Sequence, residues 1–365
     1  MSGHRVLHLL GPSTGGIRAH VAALADALEA RGWVVGAAGP SGVLDGLRRL
    51  DHVVQVPPGL APATLVRGRR SLAAVVGGYD LVHAHGLKAG WVAAIAGLEV
   101  PLVLSVHNLV LDDVAGRSAP LLRTLEATLL GRVDATIAVS HEVARRFTGV
   151  RGAGRTTTVA PLGPVPQVQV PAAEVRARLG VPAGGRLVVT AARLHPQKGL
   201  LDLVEAADLL RREVEGLLWI VLGEGPQRRE VEAAIAARSL GAVVHLLGAR
   251  PSVADELAAA DAVAVTSRWE SGPLVVLEAL ALGRPVVSTA VGLVPDVVEG
   301  ATGRVVPVGD PGAMAQALAD VLAMAPPAGE GGAGSPGELR EVGRYGPDRL
   351  VPPIEAVYRE VLDRR

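Results

Sequence analysis

Cysteine is absent from the 365-residue chain, which excludes disulfides, thiolate metal sites and cysteine nucleophiles. Aromatic side chains are nearly absent as well: Phe147 is the one phenylalanine, and Phe, Trp and Tyr make up 2% of a chain that is 49% apolar. A core of this composition is built from Val, Leu, Ala and Ile. Neither sign of charge prevails, because 36 Lys and Arg balance 36 Asp and Glu. The basic excess of a general nucleic-acid binder is therefore missing. No apolar run of roughly 18 residues escapes charges, glycine or proline, so no membrane span is expected. The apolar run within Met1–Leu10 is too short for the core of a signal peptide. These absences lead to the expectation of a cytoplasmic protein.

What is present is alternation. A chain this long is expected to divide into two domains. Arg5–Leu10, Trp33–Ala38, Asp80–Ala84, Pro101–Val106, Ala135–Val139 and Thr157–Ala160 read as short buried strands. Ile17–Arg31, Leu87–Gly97 and Ala119–Gly131 read as helices between them. Such alternation predicts a parallel sheet with helices on both faces. Prolines at 161, 164, 166 and 171 then interrupt the pattern and mark a linker. Beyond it the alternation restarts. Strands are expected at Arg186–Ala192, Leu217–Leu222, Val243–Leu246, Ala262–Thr266 and Pro285–Ser288, with helices at Gly199–Arg212, Pro226–Ser239, Ser252–Ala259, Pro273–Leu282 and Pro311–Met324. A last helix is expected near Asp348–Leu362. The predicted architecture is α/β, with two tandem Rossmann-like, doubly wound domains facing across a cleft. Residues 1–165 with 346–365 form the first and 172–345 the second.

Ligands of open parallel sheets sit beyond the carboxyl ends of the strands, so the residues just after each strand carry the chemistry. After Arg186–Ala192 the chain reads Ala192-Arg193-Leu-His-Pro-Gln-Lys198-Gly199 and then enters a helix. Two cations five residues apart at a helix N-terminus make an anion site, with a planar fork from Arg193 and a point charge from Lys198. A solvated surface turn is the plain alternative. After Ala262–Thr266 come Glu270, Ser271, Gly272, Pro273, Leu274 and, inside the helix, Glu278. A carboxylate among apolar helix neighbours either faces a ligand or pairs with a cation such as Arg268 or Arg284. It can accept both hydrogens of a vicinal diol. In the first domain, Gly15 and Gly16 lie in a glycine-rich turn between strand and helix, Gly11-Pro-Ser-Thr-Gly15-Gly16-Ile-Arg-Ala-His20. Three histidines, His83, His85 and His107, stand at strand ends.

Ala192–Gly199 and the Glu270/Glu278 pair, with Leu222-Gly-Glu-Gly-Pro226, Val244-His-Leu-Leu-Gly248, Gly283-Arg-Pro-Val-Val287 and Thr302-Gly303, occur in one order across Val188–Gly303, and the first-domain pieces match more loosely. The stretch resembles the family 4 glycosyltransferases, whose two-domain GT-B enzymes retain anomeric configuration. The resemblance implies transfer of a sugar from a UDP- or GDP-sugar to a hydroxyl acceptor. Arg193 and Lys198 would hold the diphosphate, Glu270 would orient the sugar, and His107 would contact it. It implies donor contacts from Gly15, Gly16, Arg250, Ser271, Gly272, Pro273, Leu274 and Glu278. It also implies that the last helix packs back on the first domain. Pro161-Leu162-Gly163 stands where many members carry Pro-Asn-Gly, and Ser271-Gly272-Pro273-Leu274 departs from the usual sequence beside the donor sugar. Donor identity stays open there.

No Asp-x-Asp pair follows a strand, and the adjacent Asp112-Asp113 suits chelation poorly, so no metal and no cofactor is expected. Two other readings stand beside a transferase: an inert nucleotide-sugar-binding subunit and a nucleotide-sugar epimerase on the same architecture. Arg67-Gly-Arg69-Arg70, with Leu65 and Val66, offers a surface for peripheral contact with an anionic membrane; a solvated helix end is the simpler reading.

Overall fold

The computed structural model describes residues 3–12, 15–44, 50–56, 62–107, 119–150, 155–163, 166–324 and 345–364. The chain divides into two compact units, Met1–Pro164 with Gly346–Arg365, and Val165–Tyr345. The first holds seven parallel strands: β1 (Arg5–Leu10), β2 (Val34–Gly39), β3 (Leu50–Val53), β4 (Leu81–His85), β5 (Leu102–Val106), β6 (Ala135–Ala138) and β7 (Arg155–Thr158), in the order β3-β2-β1-β4-β5-β6-β7. The second holds six: β8 (Arg186–Ala191), β9 (Leu217–Leu222), β10 (Val244–Gly248), β11 (Ala262–Val265), β12 (Val286–Thr289) and β13 (Gly303–Val306), in the order β10-β9-β8-β11-β12-β13. In each sheet the order reverses once, between β1 and β4 and between β8 and β11. A crevice opens at such a reversal because the connections on its two sides leave in opposite directions.

The strands are short runs of Val, Leu, Ile and Ala covered on both faces, and the period of two sorts their side chains. In the second unit, Val188, Trp219, Val221, Ala262, Ala264 and Val287 pack with the helices Leu200–Leu210, Arg228–Ala237 and Pro311–Ala323. Their strand neighbours Leu187, Val189, Ile220, Val263, Val265 and Val286 pack on the other face, with Ala172–Leu179, Ala254–Ala259 and Leu274–Ala281. Thr190 is a polar member of this buried β8: it donates to the Ala264 carbonyl at 2.8 Å and accepts from the Trp219 indole at 3.0 Å, so its hydroxyl is satisfied.

In the first unit the same alternation separates apolar from polar. Leu7 and Leu9 of β1, Val82 and Ala84 of β4, and Leu104 and Val106 of β5 belong to one apolar cluster. The register pairs His8 with His83, and His85 with Ser105, so His8, His83, His85 and Ser105 share the opposite face; His107 continues it two residues on. The last helix, Pro347–Asp363, belongs to this unit. Its Tyr358 is fully buried, lies edge-on to Trp33 at 5.3 Å and meets His83 Nδ1 at 2.6 Å. Trp33 Nε1 donates to Glu355 at 2.8 Å, and Arg31 and Arg155 pair with Asp348 and Glu360. The proline pair Pro352-Pro353 sits inside this helix and does not end it.

Several elements differ from the expectation. β3 and β13 are additional strands: Leu-Asp-His-Val is half polar, and β13 opens on Gly303-Arg304. The helices Pro62–Val76, His141–Phe147 and Ala172–Leu179 are also additional. β7 begins two residues earlier than read. Arg67, Arg69 and Arg70 lie inside the helix Pro62–Val76, not at its end, and are exposed. No helix of the described residues is long and apolar enough to cross a membrane.

Candidate active site

In the second unit, the loops after β8 and β11 meet at the reversal of strand order. The β8 loop turns through a short 3-10 segment, Pro196–Lys198, capped by His195 Nδ1 on the Gln197 amide at 3.3 Å. Gly199 then starts the next helix with φ of 61°, and a Cβ there would lie 2.1 Å from the Thr266 carbonyl oxygen. Only glycine permits both the left-handed turn and this approach. The two loops are stitched along that seam. Thr266 Oγ1 donates to the Lys198 carbonyl at 2.9 Å, the Arg268 amide to the Gln197 carbonyl at 2.7 Å, and Gln197 Nε2 to the Trp269 carbonyl at 3.0 Å.

The stitching brings Lys198 and Glu270 into direct contact, the ammonium against Oε1, with both side chains largely buried. Ser267 Oγ donates to the same oxygen at 2.7 Å. Arg193 lies on the same loop, exposed, and makes no ion pair among the described residues. The site thus holds one cation already neutralised by a carboxylate and a second presented to solvent. A third loop closes on it: Gly292, after β12, has φ of 54°, and a Cβ would lie 2.6 Å from the Ser271 carbonyl oxygen and 2.7 Å from that of Glu270. Thr289 Oγ1 donates to the Ser267 carbonyl at 2.6 Å.

Pro273 is the N-cap of the helix Leu274–Ala281, so that helix starts one residue later than read, and Ser271 forms no side-chain cap. Gly272 and Leu274 flank the proline on the loop and in the first turn. Glu278 lies one turn further on. The expected alternatives were a ligand-facing carboxylate or a pair with Arg268 or Arg284. Arg268 pairs with Asp202 at 3.1 Å, and Glu278 makes no ion pair or side-chain hydrogen bond among the described residues. Burial pushes its carboxyl above the usual range. Arg250, after β10, is engaged elsewhere: it lies 3.5 Å from the buried Glu256, which Arg178 also approaches at 3.6 Å. β10 is two strands from β8, at the sheet edge.

In the first unit, Gly15 holds φ of 90° and leads into the helix Gly16–Glu29. A Cβ at Gly15 would meet nothing within 4 Å, so the backbone conformation is what requires glycine. That helix carries His20, whose Nδ1 accepts the Leu162 amide at 2.8 Å. His107 stands at the end of β5, and His8, His20, His83, His85 and His107 are all buried. His8 Nδ1 meets His85 Nε2 at 2.9 Å, and His85 Nδ1 meets His107 Nε2 at 3.1 Å. His83 bridges Tyr358 at 2.6 Å and Ser105 at 2.7 Å. Desolvation holds His83, His85 and His107 well below the usual histidine range and His20 at about 4, so these four rings are neutral at pH 7. Two triads, His8–His83–His85 and His20–His85–His107, bring one ring nitrogen from each member within 4.8 Å of the others. Within these groups, hydrogen bonds join His8 to His85 and His85 to His107. Asn108 and Asp112-Asp113 lie outside the described residues.

A model of "Glycosyl transferases group 1" matches residues 172–329, and one of "Glycosyltransferase Family 4" matches 14–163. A D-inositol 3-phosphate glycosyltransferase of Xylanimonas cellulosilytica is 32% identical over 89% of this chain and 82% of its own. The chain belongs to the family 4 glycosyltransferases. A second relative of the same name, from Salinispora arenicola, is 31% identical over 88% of this chain and 77% of its own. Among solved structures, the sucrose-phosphate synthase of Thermosynechococcus elongatus aligns with a TM-score of 0.77 at 24% identity, covering 99% of this chain and 100% of its own. Anabaena HepE, crystallised with UDP and glucose, aligns with a TM-score of 0.77 at 22% identity over 98% and 100%. Both sheets with their helices are those of the tandem Rossmann-like GT-B fold, and this glycosyltransferase is an enzyme.

The residues that sequence reasoning passed over are the ones that hold others in place: Thr266, Ser267, Thr289, Gly292, His8 and His20. A glycine three residues after β12 was the available signal for Gly292. A polar residue within an apolar strand was the signal for His8.

Proposed function

We propose that this glycosyltransferase moves a sugar from a nucleotide-diphosphate-sugar to a hydroxyl acceptor with retention of configuration and without a metal. The observation that carries the reading is the meeting of the β8 and β11 loops at the strand-order reversal, which joins Lys198 to Glu270, with Arg193 on the same β8 loop. Arg193, exposed and without an ion-pair partner among the described residues, receives the diphosphate together with Lys198. Glu270, held by Ser267, accepts from sugar hydroxyls once the diphosphate shares Lys198. Glu278, half-buried and carrying no bonded partner among the described residues, accepts from the ribose diol. In the reaction the bond between the anomeric carbon and the β-phosphate oxygen breaks. The acceptor oxygen bonds to the same face of that carbon, and its proton passes to the departing phosphate. Arg193 and Lys198 stabilise the charge that grows there, the part a divalent cation takes in other enzymes. His107 is taken as a contact to the sugar on the family resemblance alone. Anabaena HepE, crystallised with UDP-glucose, supports a UDP-sugar as the first donor to try, and the two relatives' name supports D-inositol 3-phosphate as the first acceptor.

A thermal-shift screen of UDP- and GDP-sugars, followed by NMR of the product in the presence of a chelator, tests this. At a hundredfold excess over Kd a true donor stabilises by about 2.7 kcal/mol, a rise in Tm of about 5–10 °C. Inverted product, or transfer abolished by the chelator, overturns the corresponding part. Tight nucleotide binding without transfer to any acceptor favours an inert subunit.

A further inference from the structure

The two bonds that join His8, His85 and His107 run head to tail. Each links an Nδ1 to an Nε2: His8 Nδ1 to His85 Nε2, and His85 Nδ1 to His107 Nε2. A neutral imidazole donates through one nitrogen and accepts through the other. If His85 donates through Nε2, it must accept through Nδ1. His107 then carries its proton on Nε2, and so does His8. If His85 donates through Nδ1, both partners carry theirs on Nδ1. The middle ring transmits the choice. The three rings therefore share one tautomer, and changing it at one end changes it at the other.

The geometry points to His8 and His85 as positioning residues that set the tautomer of His107, and with it whether the remaining Nδ1 of His107 donates or accepts a hydrogen bond. Burial supports one proton per ring, since a charge in this row would lie desolvated inside the sheet face. Desolvation holds His85 and His107 neutral at pH 7. The fold explains how the row arises. β1, β4 and β5 lie side by side, and the period of two puts alternate residues on one face, so a mid-strand histidine of β1 reaches the strand-end histidines of its neighbours. His83, stacked 4.1 Å from His85, stays outside the row because its nitrogens face two hydroxyls, Tyr358 and Ser105, which donate or accept equally well. His20 has its tautomer set separately: the Leu162 amide, 2.8 Å from Nδ1, can only donate, and this outweighs the Leu162 carbonyl 3.2 Å from the same nitrogen, so the proton is on Nε2. The consequence for catalysis rests on the reading of His107 as a sugar-contacting residue; the tautomer coupling does not.

The test is long-range 1H–15N NMR of the full chain labelled with 15N-histidine, at pH 7.5 with and without chelator. Signals are assigned by single histidine replacements. In the wild-type protein His8, His85 and His107 are expected to report the same protonated nitrogen, with His20 protonated on Nε2 as an internal standard. A mixed set, or a metal-bound pattern that the chelator removes, overturns the proposal. His8→Leu removes one end and is expected to shift the tautomer population at His107, to which the described hydrogen bonds link His8 through His85. An unchanged His107 in a folded His8→Leu protein overturns it too. If that variant does not fold, the wild-type tautomers decide alone. Transfer assays on His107→Ala separate the two readings. Matched tautomers with undiminished activity leave the relay standing and remove the sugar-contact role. Mixed tautomers with lost activity do the reverse.

Discussion

Lys198 shows how a single residue is tuned by what it touches. Its ammonium is held by Glu270, so the diphosphate proposed to bind there would meet a cation already shared with a carboxylate. Arg193 carries no such ion pair among the described residues. Hydrogen bonds to charged groups contribute roughly 1.5–3 kcal/mol, which converts to about ten- to a hundredfold in rate. Arg193→Ala and Lys198→Ala are each expected to lower kcat by that factor in a transfer assay. The losses should differ in kind. Lys198→Ala leaves Glu270 with Ser267 and no countercharge, so donor KM should rise as well. The double variant Lys198→Ala with Glu270→Gln should lose less than the product of the single losses, because the two residues are one unit. Near-normal turnover in both single variants removes the assignment.

At the scale of elements, the loops matter more than the strands that carry them. Gly199 and Gly180 both have positive φ, 61° and 76°, yet they differ in surroundings. A Cβ at Gly180 would meet nothing within 4 Å, whereas at Gly199 it would press into the Thr266 backbone at 2.1 Å. Gly180→Ala is therefore expected to cost about 1 kcal/mol in urea unfolding, the strain of the left-handed turn alone. Gly199→Ala should cost at least about 2 kcal/mol and weaken donor binding, since the seam between the β8 and β11 loops must open. Equal costs would show that the seam does not constrain the site. The same comparison shows what was legible in the chain. Periodic apolar runs located most strands, and Arg193, Lys198, Glu270 and Glu278 stood out by type and position. β3 was missed because two of its four residues are polar, and His141–Phe147 because its Ser140 cap, 3.2 Å from the Val143 amide, was not weighed. The pairing of Lys198 with Glu270, 72 residues apart, depends on sheet order, which local pattern does not carry. His8 was passed over for the same reason, since its partners come from a strand 77 residues on.

At the scale of the molecule, the two units answer acid in different ways. His20, His83, His85 and His107 all belong to the first unit, and all have folded pKa values below the ordinary 6.5, with burial as the largest cause. An unfolded chain therefore binds more protons than the folded one as pH falls below 6.5. The stability these rings contribute is complete above 6.5 and is lost progressively toward the folded values, about 4 for His20. One such ring accounts for about 1 kcal/mol at one pH unit below its unfolded value. Glu126 opposes this in the same unit, since burial raises its carboxyl, but one raised carboxyl faces four lowered rings. In the second unit the half-buried Glu278 is raised, so acid relieves it, and the lowered carboxyl there, Asp208, is given up only as pH falls below the ordinary aspartate range. Samples taken through a urea series at pH 7.5 and at pH 5.5, then pulse-labelled by hydrogen exchange at one common pH, resolve the units by their strands. The midpoint for β1, β4 and β5 is expected to fall at pH 5.5 by clearly more than that for β8, β9 and β11. Replacing His20 by Gln should shrink the difference. Parallel shifts in the two sets of strands would mean that the buried histidine row does not govern the acid response, and that the neutral rings on which its tautomer coupling depends are not held neutral by burial.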